Sequence, residues 1–285
     1  MSCEPDFTVM GVVNVTPDSF SDGGLYIDAG AAVDHALELQ AEGASILDIG
    51  GESTRPGAEP VDADAELARV MPVIEGLRDR GVPAQMSIDT SKAAVAAAAL
   101  DAGATLVNDV TALRGDPRMA ELVAARGAQC CLMHMLGEPR TMQDDPRYDD
   151  VVSDVKAFLE ERMAFAVAAG IAEEKLLLDP GIGFGKTAEH NVELLARVDE
   201  LVALGRPVVI GTSRKSFLGR ITGRPVDDRL AATIATNVLA YERGARVFRV
   251  HDVAPVRDAL VMAAATVRRR WPTTPTTSTT RTLTT

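Results

Sequence analysis

The strongest constraint on the fold of this 285-residue chain is a repeated pattern that runs from Thr8 to Val253. A short apolar run ends in polar residues, a helix-like stretch follows, and the unit recurs about eight times. The apolar runs are mostly continuous, which is typical of parallel strands covered on both faces. The pattern predicts an α/β fold, a single (β/α)8 TIM barrel, with a doubly wound open sheet as the structural alternative.

The predicted strands and helices divide the chain at regular intervals. The strands are TVMGVVN, ASILDIG, AQMSID, TLVND, AQCCLMH, KLLLDP, PVVIGT and RVFRVHD, which end at or near Asn14, Gly50, Asp89, Asp109, His134, Asp179, Thr212 and His251. The helical patterns include AAVDHALELQAEG, KAAVAAAALDAG, VVSDVKAFLEERMAFAVAAG and NVELLARVDELVALG, and each ends at a glycine suited to a helix C-cap. We assign residues 1–270 to the barrel and predict that the Thr- and Pro-rich tail, 271–285, is disordered.

Composition narrows the possible partners and the compartment. The net charge of −12 provides no basic surface for nucleic acid or an anionic membrane. No apolar run approaches the roughly 18 residues of a membrane span, and the first residues do not resemble a secretion signal. Cys130 and Cys131 are adjacent in an apolar run, so we expect buried thiols in a reducing cytoplasm rather than a disulfide or a metal site.

Polar residues gather where the predicted strands end. They are Asn14, Asp48, Asp89, Asn108, Asp109, His134, Asp179, Lys215, Arg249 and His251. In a barrel, all the carboxyl ends of the strands share one rim, which is where barrel enzymes place their active sites. Any single aspartate there could instead cap a helix or hold its own loop, but ten polar residues on one rim favour an active site.

Four irregular segments lie beside this rim. NVTPDSFSDGG and GGESTRPGAEP, after the first and second strands, are typical of mobile loops that cover a site. GIGFGK matches neither a Walker A loop nor a dinucleotide fingerprint, and scattered histidines argue against zinc. GTSRKSFLG leads into a short helix whose free N–H groups would attract an anion, although an ordinary basic surface turn is the alternative.

Taken together, these segments resemble the dihydropteroate synthase family over residues 8–268. MGVVNVTPDSFSDGG, DIGGESTRPGA, SIDT, VNDV, LMHM, LLDPGIGFGK, GTSRKSFLG and FRVHDV occur in family order. The resemblance implies that 6-hydroxymethyl-7,8-dihydropterin diphosphate condenses with 4-aminobenzoate to give 7,8-dihydropteroate and pyrophosphate, in folate biosynthesis. It also implies Mg²⁺ as a cofactor, sulfonamides as inhibitors and a homodimer.

The resemblance also implies roles for individual residues. The pterin pocket would comprise Asp89, Asn108, Val110, Met133, Asp179, Phe184, Gly211 and Lys215. The diphosphate would contact Asn14, Arg249 and His251, with Mg²⁺ bridging Asn14 and phosphate oxygens. The 4-aminobenzoate site would comprise Phe20, Thr54, Arg55, Pro56, Lys215 and Ser216. The catalytic residues would be Asp89, Lys215, Arg249 and Asp18, the last helping the first loop to close the site.

Other functions remain open on the sequence alone. A non-catalytic pterin-binding homologue would keep the pterin pocket and lose the diphosphate or arylamine residues. A pterin-dependent methyltransferase would share the barrel and the pterin-facing acids, but would lack the STRPG and SRKSFLG pairing present here. An unrelated phosphosugar enzyme would share the fold alone.

Overall fold

The computed structural model describes residues 6–16, 28–53, 58–137 and 141–268, and within these ranges eight strands alternate with helices. The strands are β1 (Thr8–Asn14), β2 (Ile46–Gly50), β3 (Gln85–Asp89), β4 (Leu106–Asp109), β5 (Gln129–Met133), β6 (Leu176–Asp179), β7 (Val209–Ile210) and β8 (Val247–Val250). The helices are α1 (Ala29–Ala41), α2 (Ala63–Asp79), α3 (Ala93–Asp101), α4 (Met119–Arg126), α5 (Val151–Ala168), α6 (Ala188–Ala196), α7 (Val198–Val202), α8 (Ser216–Thr222), α9 (Leu230–Glu242) and α10 (Val253–Arg268). The predicted disordered tail lies outside the described residues.

The sheet closes on itself. All paired strands are parallel, in the order β6-β5-β4-β3-β2-β1-β8-β7. A parallel bridge between Leu178 and Val208 joins the two outermost strands, and Leu178 N donates to Pro207 O at 2.9 Å. The predicted (β/α)8 barrel is confirmed, and the open-sheet alternative is wrong.

Most predicted strand ends agree with the structure, but β7 stops at Ile210 rather than at Thr212. The chain turns there because the Thr212 carbonyl accepts from Lys215 N at 3.2 Å and the Thr212 hydroxyl accepts from Asn237 at 3.1 Å. The helix predicted from NVELLARVDELVALG is interrupted at Arg197, where φ is −118° and ψ is 26°. The glycines predicted to close helices, Gly43, Gly103, Gly170 and Gly205, all have positive φ.

A ring of buried apolar side chains fills the barrel interior and forms what we term the barrel floor. Its members are Met10, Ile46, Leu106, Cys131, Leu177, Val209 and Val247. Because successive side chains of a strand point to opposite faces, a residue two positions further along shares the same interior. Asp48 follows Ile46, Asn108 follows Leu106 and Asp179 follows Leu177 at this spacing. The floor therefore supports a layer of polar residues at the carboxyl ends of the strands.

A second and larger core lies between the strands and the helices. Cys130 belongs to it, whereas Cys131 lies in the barrel floor, and both are buried free thiols as predicted. Among the described residues, every helix is too short or too polar to serve as a membrane span.

Truncating an aromatic residue of the outer core should be costly. Phe248 is fully buried, and its ring centroid lies 6.5 Å from that of Phe7 and 6.4 Å from that of Tyr241. We expect Phe248→Ala to lower the free energy of unfolding by about 3–5 kcal/mol, measured by urea denaturation. Val226→Ala, at a side chain that is 57% exposed, is the control and should change stability by no more than about 0.5 kcal/mol. Equal losses in both variants would contradict this assignment of the core.

Candidate active site

Asp48 on β2 is the centre of a hydrogen-bond network at the carboxyl end of the barrel. Its Oδ1 accepts from Ser87 Oγ at 2.6 Å, and its Oδ2 accepts from Asn108 Nδ2 at 3.0 Å and from Arg249 Nε at 2.6 Å. These partners lie on β3, β4 and β8, so the bonds cross the barrel interior. Sequence reasoning named Asp48 as a rim residue and gave it no role in the site. A carboxylate inside an otherwise apolar strand was the available signal.

Arg249 joins Asp48 to Asp89. Its Nη2 donates to Asp89 Oδ2 at 2.7 Å, so one guanidinium lies between two carboxylates. Burial raises the pKa of Asp89 to about 7, and the charge of Asp48 adds to this effect while Arg249 opposes it. Burial alone would lower the pKa of Arg249, but the two carboxylates outweigh it and raise the pKa. The structure thus brings together two of the predicted catalytic residues.

Asp179 and Lys215 form the second charged part of the rim. Asp179 Oδ1 accepts from Gly181 N at 2.6 Å, and Lys215 Nζ donates to the carbonyl of Ile182. Burial raises the pKa of Asp179, and the charge of Lys215 opposes the rise. Desolvation lowers the pKa of Lys215 to about 8, although its side chain keeps some contact with solvent. Gly211 is beside it, since a Cβ there would lie 3.7 Å from Lys215 Nζ.

An apolar wall stands beside these charges. It consists of Val110, Met133, Met135, Met142 and the partly buried Phe184. The structure therefore brings together the three predicted wall residues Val110, Met133 and Phe184. Met135 and Met142 were missed because they lie in an irregular segment after β5, where no hydrophobic period marks a buried position. Lys215 Nζ lies 4.6 Å from the centroid of the Phe184 ring, which places a cation at the edge of the wall.

The side chain of His134 hydrogen-bonds to a buried lysine. Its Nδ1 lies 2.9 Å from Lys186 Nζ, and Lys186 also donates to Phe184 O at 3.0 Å. Burial, together with the charges of Lys186 and Arg114, lowers the pKa of His134 to about 2. The ring is therefore neutral near pH 7, and its Nδ1 shares a hydrogen bond with Lys186 Nζ. Sequence reasoning considered GIGFGK as a possible phosphate loop and as part of a family motif, assigned Phe184 to the pterin pocket and gave Lys186 no role.

Asp109 holds its own loop. It accepts from Thr111 N at 2.8 Å, from Thr111 Oγ1 at 2.7 Å and from Leu113 N at 2.9 Å. The loop-holding alternative, which applied to any single aspartate of the rim, is correct for this one.

The start of the loop after β2 is anchored to two helices. Glu52 Oε1 accepts from Val61 N at 3.0 Å, which ties the two ends of that loop together. Lys92 Nζ donates to Glu52 and to the fully buried Glu66, each at 2.6 Å. These contacts fix the points at which the loop leaves β2 and enters α2.

The remaining predicted residues are distributed around the rim. Asn14 is half-buried at the end of β1, and Ser216 is exposed at the start of α8. His251 Nδ1 lies 3.0 Å from Ser213 Oγ, which also accepts from His251 N at 3.2 Å. Asp18, Phe20, Thr54, Arg55 and Pro56 lie outside the described residues, so their roles stay predictions.

The rim chemistry fits a magnesium ion that is shared with a ligand. Among the described residues, no group of three or more His, Cys, Asp or Glu side chains could hold a metal ion alone. Mg²⁺ commonly takes one or two protein oxygens and completes its shell with phosphate and water, and Asn14 offers an amide oxygen. The three carboxylates of Asp48, Asp89 and Asp179 outnumber the two cations of the rim, which are Lys215 and Arg249. Additional positive charge would therefore favour binding of a diphosphate.

Comparisons with known proteins identify the family. Residues 10–251 match the family model described as pterin binding enzyme. Dihydropteroate synthase from Escherichia coli strain K12 is 46% identical over 259 residues, covering 91% of this chain and 91% of that protein. The chain belongs to the dihydropteroate synthase family. The resemblance inferred from the motifs is confirmed.

Solved structures of this family share the barrel. Xanthomonas albilineans dihydropteroate synthase with 4-aminobenzoic acid has a TM-score of 0.86 and 50% identity, covering 91% of this chain and 93% of that one. The Yersinia pestis dihydropteroate synthase in a sulfonamide drug complex has a TM-score of 0.87 and 46% identity, covering 92% of this chain and 94% of that one.

The raised pKa of Asp89 should appear in the pH dependence of stability. Because the folded pKa of about 7 exceeds the ordinary 3.8, the folded protein binds this proton more tightly than the unfolded chain does. The protonated Asp89 carboxyl makes its full contribution to stability below pH 3.8, and this contribution is lost as the pH rises through 7. Asn cannot ionise. As the pH rises, the free energy of unfolding of Asp89→Asn should therefore increase relative to that of the wild type, by at most about 1.4 kcal/mol per pH unit.

Urea denaturation from about pH 5 to 8 measures this gain, which should level off above pH 7. Asp227→Asn, at an exposed aspartate, is the matched control and should show no such trend. A difference between Asp89→Asn and the wild type that stayed constant with pH would mean that Asp89 titrates as an ordinary carboxyl group.

Proposed function

We propose that this chain is a transferase that joins 4-aminobenzoate to 6-hydroxymethyl-7,8-dihydropterin diphosphate, forming 7,8-dihydropteroate and pyrophosphate for folate biosynthesis. The methylene C–O bond breaks with its electron pair leaving on the diphosphate, a C–N bond forms, and the arylamine loses one proton. Family membership supports this reaction. The observation that carries it is one rim where the charges of Asp179, Lys215 and Arg249 lie close together beside an apolar wall.

The pterin ring would lie against the apolar wall with its polar edge toward Asp179. That edge presents an amino group beside a ring N–H, a donor pair that a single carboxylate can accept together. Charge-assisted bonds of this kind contribute roughly 1.5–3 kcal/mol each. Lys215 would donate to the acceptors of the ring, and Asn108 would add a polar contact. Val110, Met133, Phe184 and Gly211 would form the surfaces around it.

The diphosphate would be held at the other side of the rim. Asn14 and His251 would contact it, and the Arg249 guanidinium would balance the charge that develops as it departs. Asn14 would hold a Mg²⁺ ion, which when bound would supply positive charge that stabilises the departing diphosphate. Asp89 would remain close to the pterin and steady the positive charge that develops on the ring.

The 4-aminobenzoate would enter between the loops after β1 and β2. Phe20, Thr54, Arg55, Pro56, Lys215 and Ser216 would line its site, and its carboxylate would lie near Ser216 at the start of α8. Asp18, on the first loop, would help to close the site. Sulfonamides resemble this substrate and would compete for the same position; the Yersinia pestis relative has been solved in a sulfonamide drug complex.

Orientation and charge stabilisation would dominate the rate. We infer that the departure of the diphosphate precedes the attack of the amine and leaves a cation that the pterin ring stabilises. An arylamine is neutral near pH 7, so its attack requires no strong general base. Fixing two substrates in a reactive geometry can supply about 7–11 kcal/mol, whereas proton transfer typically contributes only about 10²–10⁴-fold.

The decisive experiment measures pyrophosphate release by the purified protein with dihydropterin diphosphate and Mg²⁺, with and without 4-aminobenzoate. Release that depends on the arylamine, with dihydropteroate identified by mass, would establish the synthase. Pterin binding without that product would support the non-catalytic homologue, which no feature of the described rim favours. Methyl transfer from a methylated folate would instead indicate a methyltransferase.

Asp179→Asn should separate pterin recognition from folding. The amide keeps the acceptor for Gly181 N but loses the negative charge and can no longer accept two ligand donors. We expect dihydropterin binding to weaken by about 2 kcal/mol or more, roughly thirtyfold, in calorimetric titration. Asp227→Asn is the matched control. Unchanged affinity would remove Asp179 from the pocket.

Oligomeric state and location belong to the same proposal. We place the reaction in the cytoplasm, where the buried free thiols of Cys130 and Cys131 would remain reduced. We also propose a homodimer through outer-ring helices, because Leu239 on α9 and Met262 and Val267 on α10 are exposed apolar side chains. Light scattering on the purified protein would distinguish a dimer from a monomer.

A further inference from the structure

The loop of residues 181–186, which follows β6, has a backbone hydrogen bond from Phe184 N to Gly181 O at 3.0 Å and is otherwise held mainly by side chains. Four successive carbonyls each accept a hydrogen bond from a side chain. The pairs are Ile182 O with Lys215 Nζ, Gly183 O with Gln143 Nε2 at 2.6 Å, Phe184 O with Lys186 Nζ at 3.0 Å, and Gly185 O with Tyr148 Oη at 2.7 Å. Three of these four donors belong to neighbours in the barrel rather than to the loop.

The loop requires this support because its sequence provides little of its own. Gly181 and Gly185 have φ values of +66° and +61°, and a Cβ at either position would clash with the backbone of the segment after β5. Glycine makes that close approach possible, but it also gives the unfolded loop the largest conformational freedom to lose. Hydrogen bonds from side chains therefore stabilise the one loop conformation that places Phe184 in the wall.

Lys186 is the buried member of this set. Its side chain is almost fully buried, and Nζ joins Phe184 O to the Nδ1 of His134, 2.9 Å away. The His134 ring packs edge to face on Phe158 of α5, with centroids 4.8 Å apart. Lys186 thus links the backbone of a wall residue to the ring of His134, directly after β5. Burial lowers the pKa of Lys186 well below its usual range, and the negative charge of Asp179 opposes this shift.

We propose that Lys186 is a positioning residue for pterin binding, which holds Phe184 in place through its main-chain carbonyl and through His134. Tyr148 and Gln143 act in the same way on the adjacent carbonyls. This inference rests on the proposed function, because the ligand is the pterin assigned to the wall of Phe184. Lys186 touches neither the substrate nor the reacting atoms in this assignment.

Lys186→Met tests the proposal. Methionine keeps most of the apolar stem but leaves Phe184 O and His134 Nδ1 without their partner, so Tm should fall by roughly 2–10 °C while the protein still folds. We expect the Kd for dihydropterin diphosphate with Mg²⁺ to rise about tenfold. The KM for 4-aminobenzoate should change far less. Hydrogen exchange at the amides of residues 181–186 should become faster.

Two further variants complete the test. Tyr148→Phe removes only the hydrogen bond to Gly185 O, so it should show a smaller effect in the same direction and replaces Lys186→Met if that variant fails to fold. Lys156→Met, at a partly exposed lysine on α5, is the matched control and should behave as the wild type.

The outcomes are distinguishable. If the wild type, Lys186→Met and Tyr148→Phe all bind the pterin equally well, the inference is overturned. Equal losses for both substrates also overturn it, because they indicate a general structural role. A wild type without pterin binding overturns the proposed function instead, and the exchange measurement then still decides whether Lys186 holds the loop.

Discussion

The guanidinium of Arg249, held between the carboxylates of Asp48 and Asp89, is the interaction on which the rim depends. It joins β8 to β2 and β3 across the barrel interior through bonds of 2.6 and 2.7 Å. Removing one partner of a buried charge pair costs about 3–5 kcal/mol, because the remaining charge is left uncompensated. Burial is the main cause of the raised pKa of Asp89, and the negative charge of Asp48 on the same guanidinium adds to it. The rim therefore favours ligands that bring hydrogen-bond donors or a cation.

The barrel floor makes this charged layer possible. Apolar side chains fill the interior directly beneath it, and the polar side chains of the layer hydrogen-bond to one another. A closed barrel also limits relaxation, because each strand is held by neighbours on both sides. Polar groups in such a frame are already oriented before a ligand arrives, and this is the property that a reaction dominated by orientation requires.

Lys215 contributes both to the charge of the rim and to the shape of the pocket. Its ammonium bonds to Ile182 O, lies near the Phe184 ring and opposes the raised pKa of Asp179. One residue from the β7–α8 turn thus contacts both the loop after β6 and the wall. The conformation of that loop consequently matters to the electrostatics of the rim as well as to the shape of the pocket.

The sequence by itself determined the barrel and most of the chemistry of its rim. Eight apolar runs with polar ends are local patterns, and the family motifs identified Asp89, Asn108, Asp179, Lys215 and Arg249. Tertiary structure alone decided which carboxylates face the centre: Asp48 lies two residues after floor residue Ile46, whereas Asp109 lies three after Leu106 and turns to its own loop. Strands that are apolar on both faces conceal this alternation. Met135, Met142 and Lys186 lie in irregular segments without a period, so only the packed fold shows what they contact.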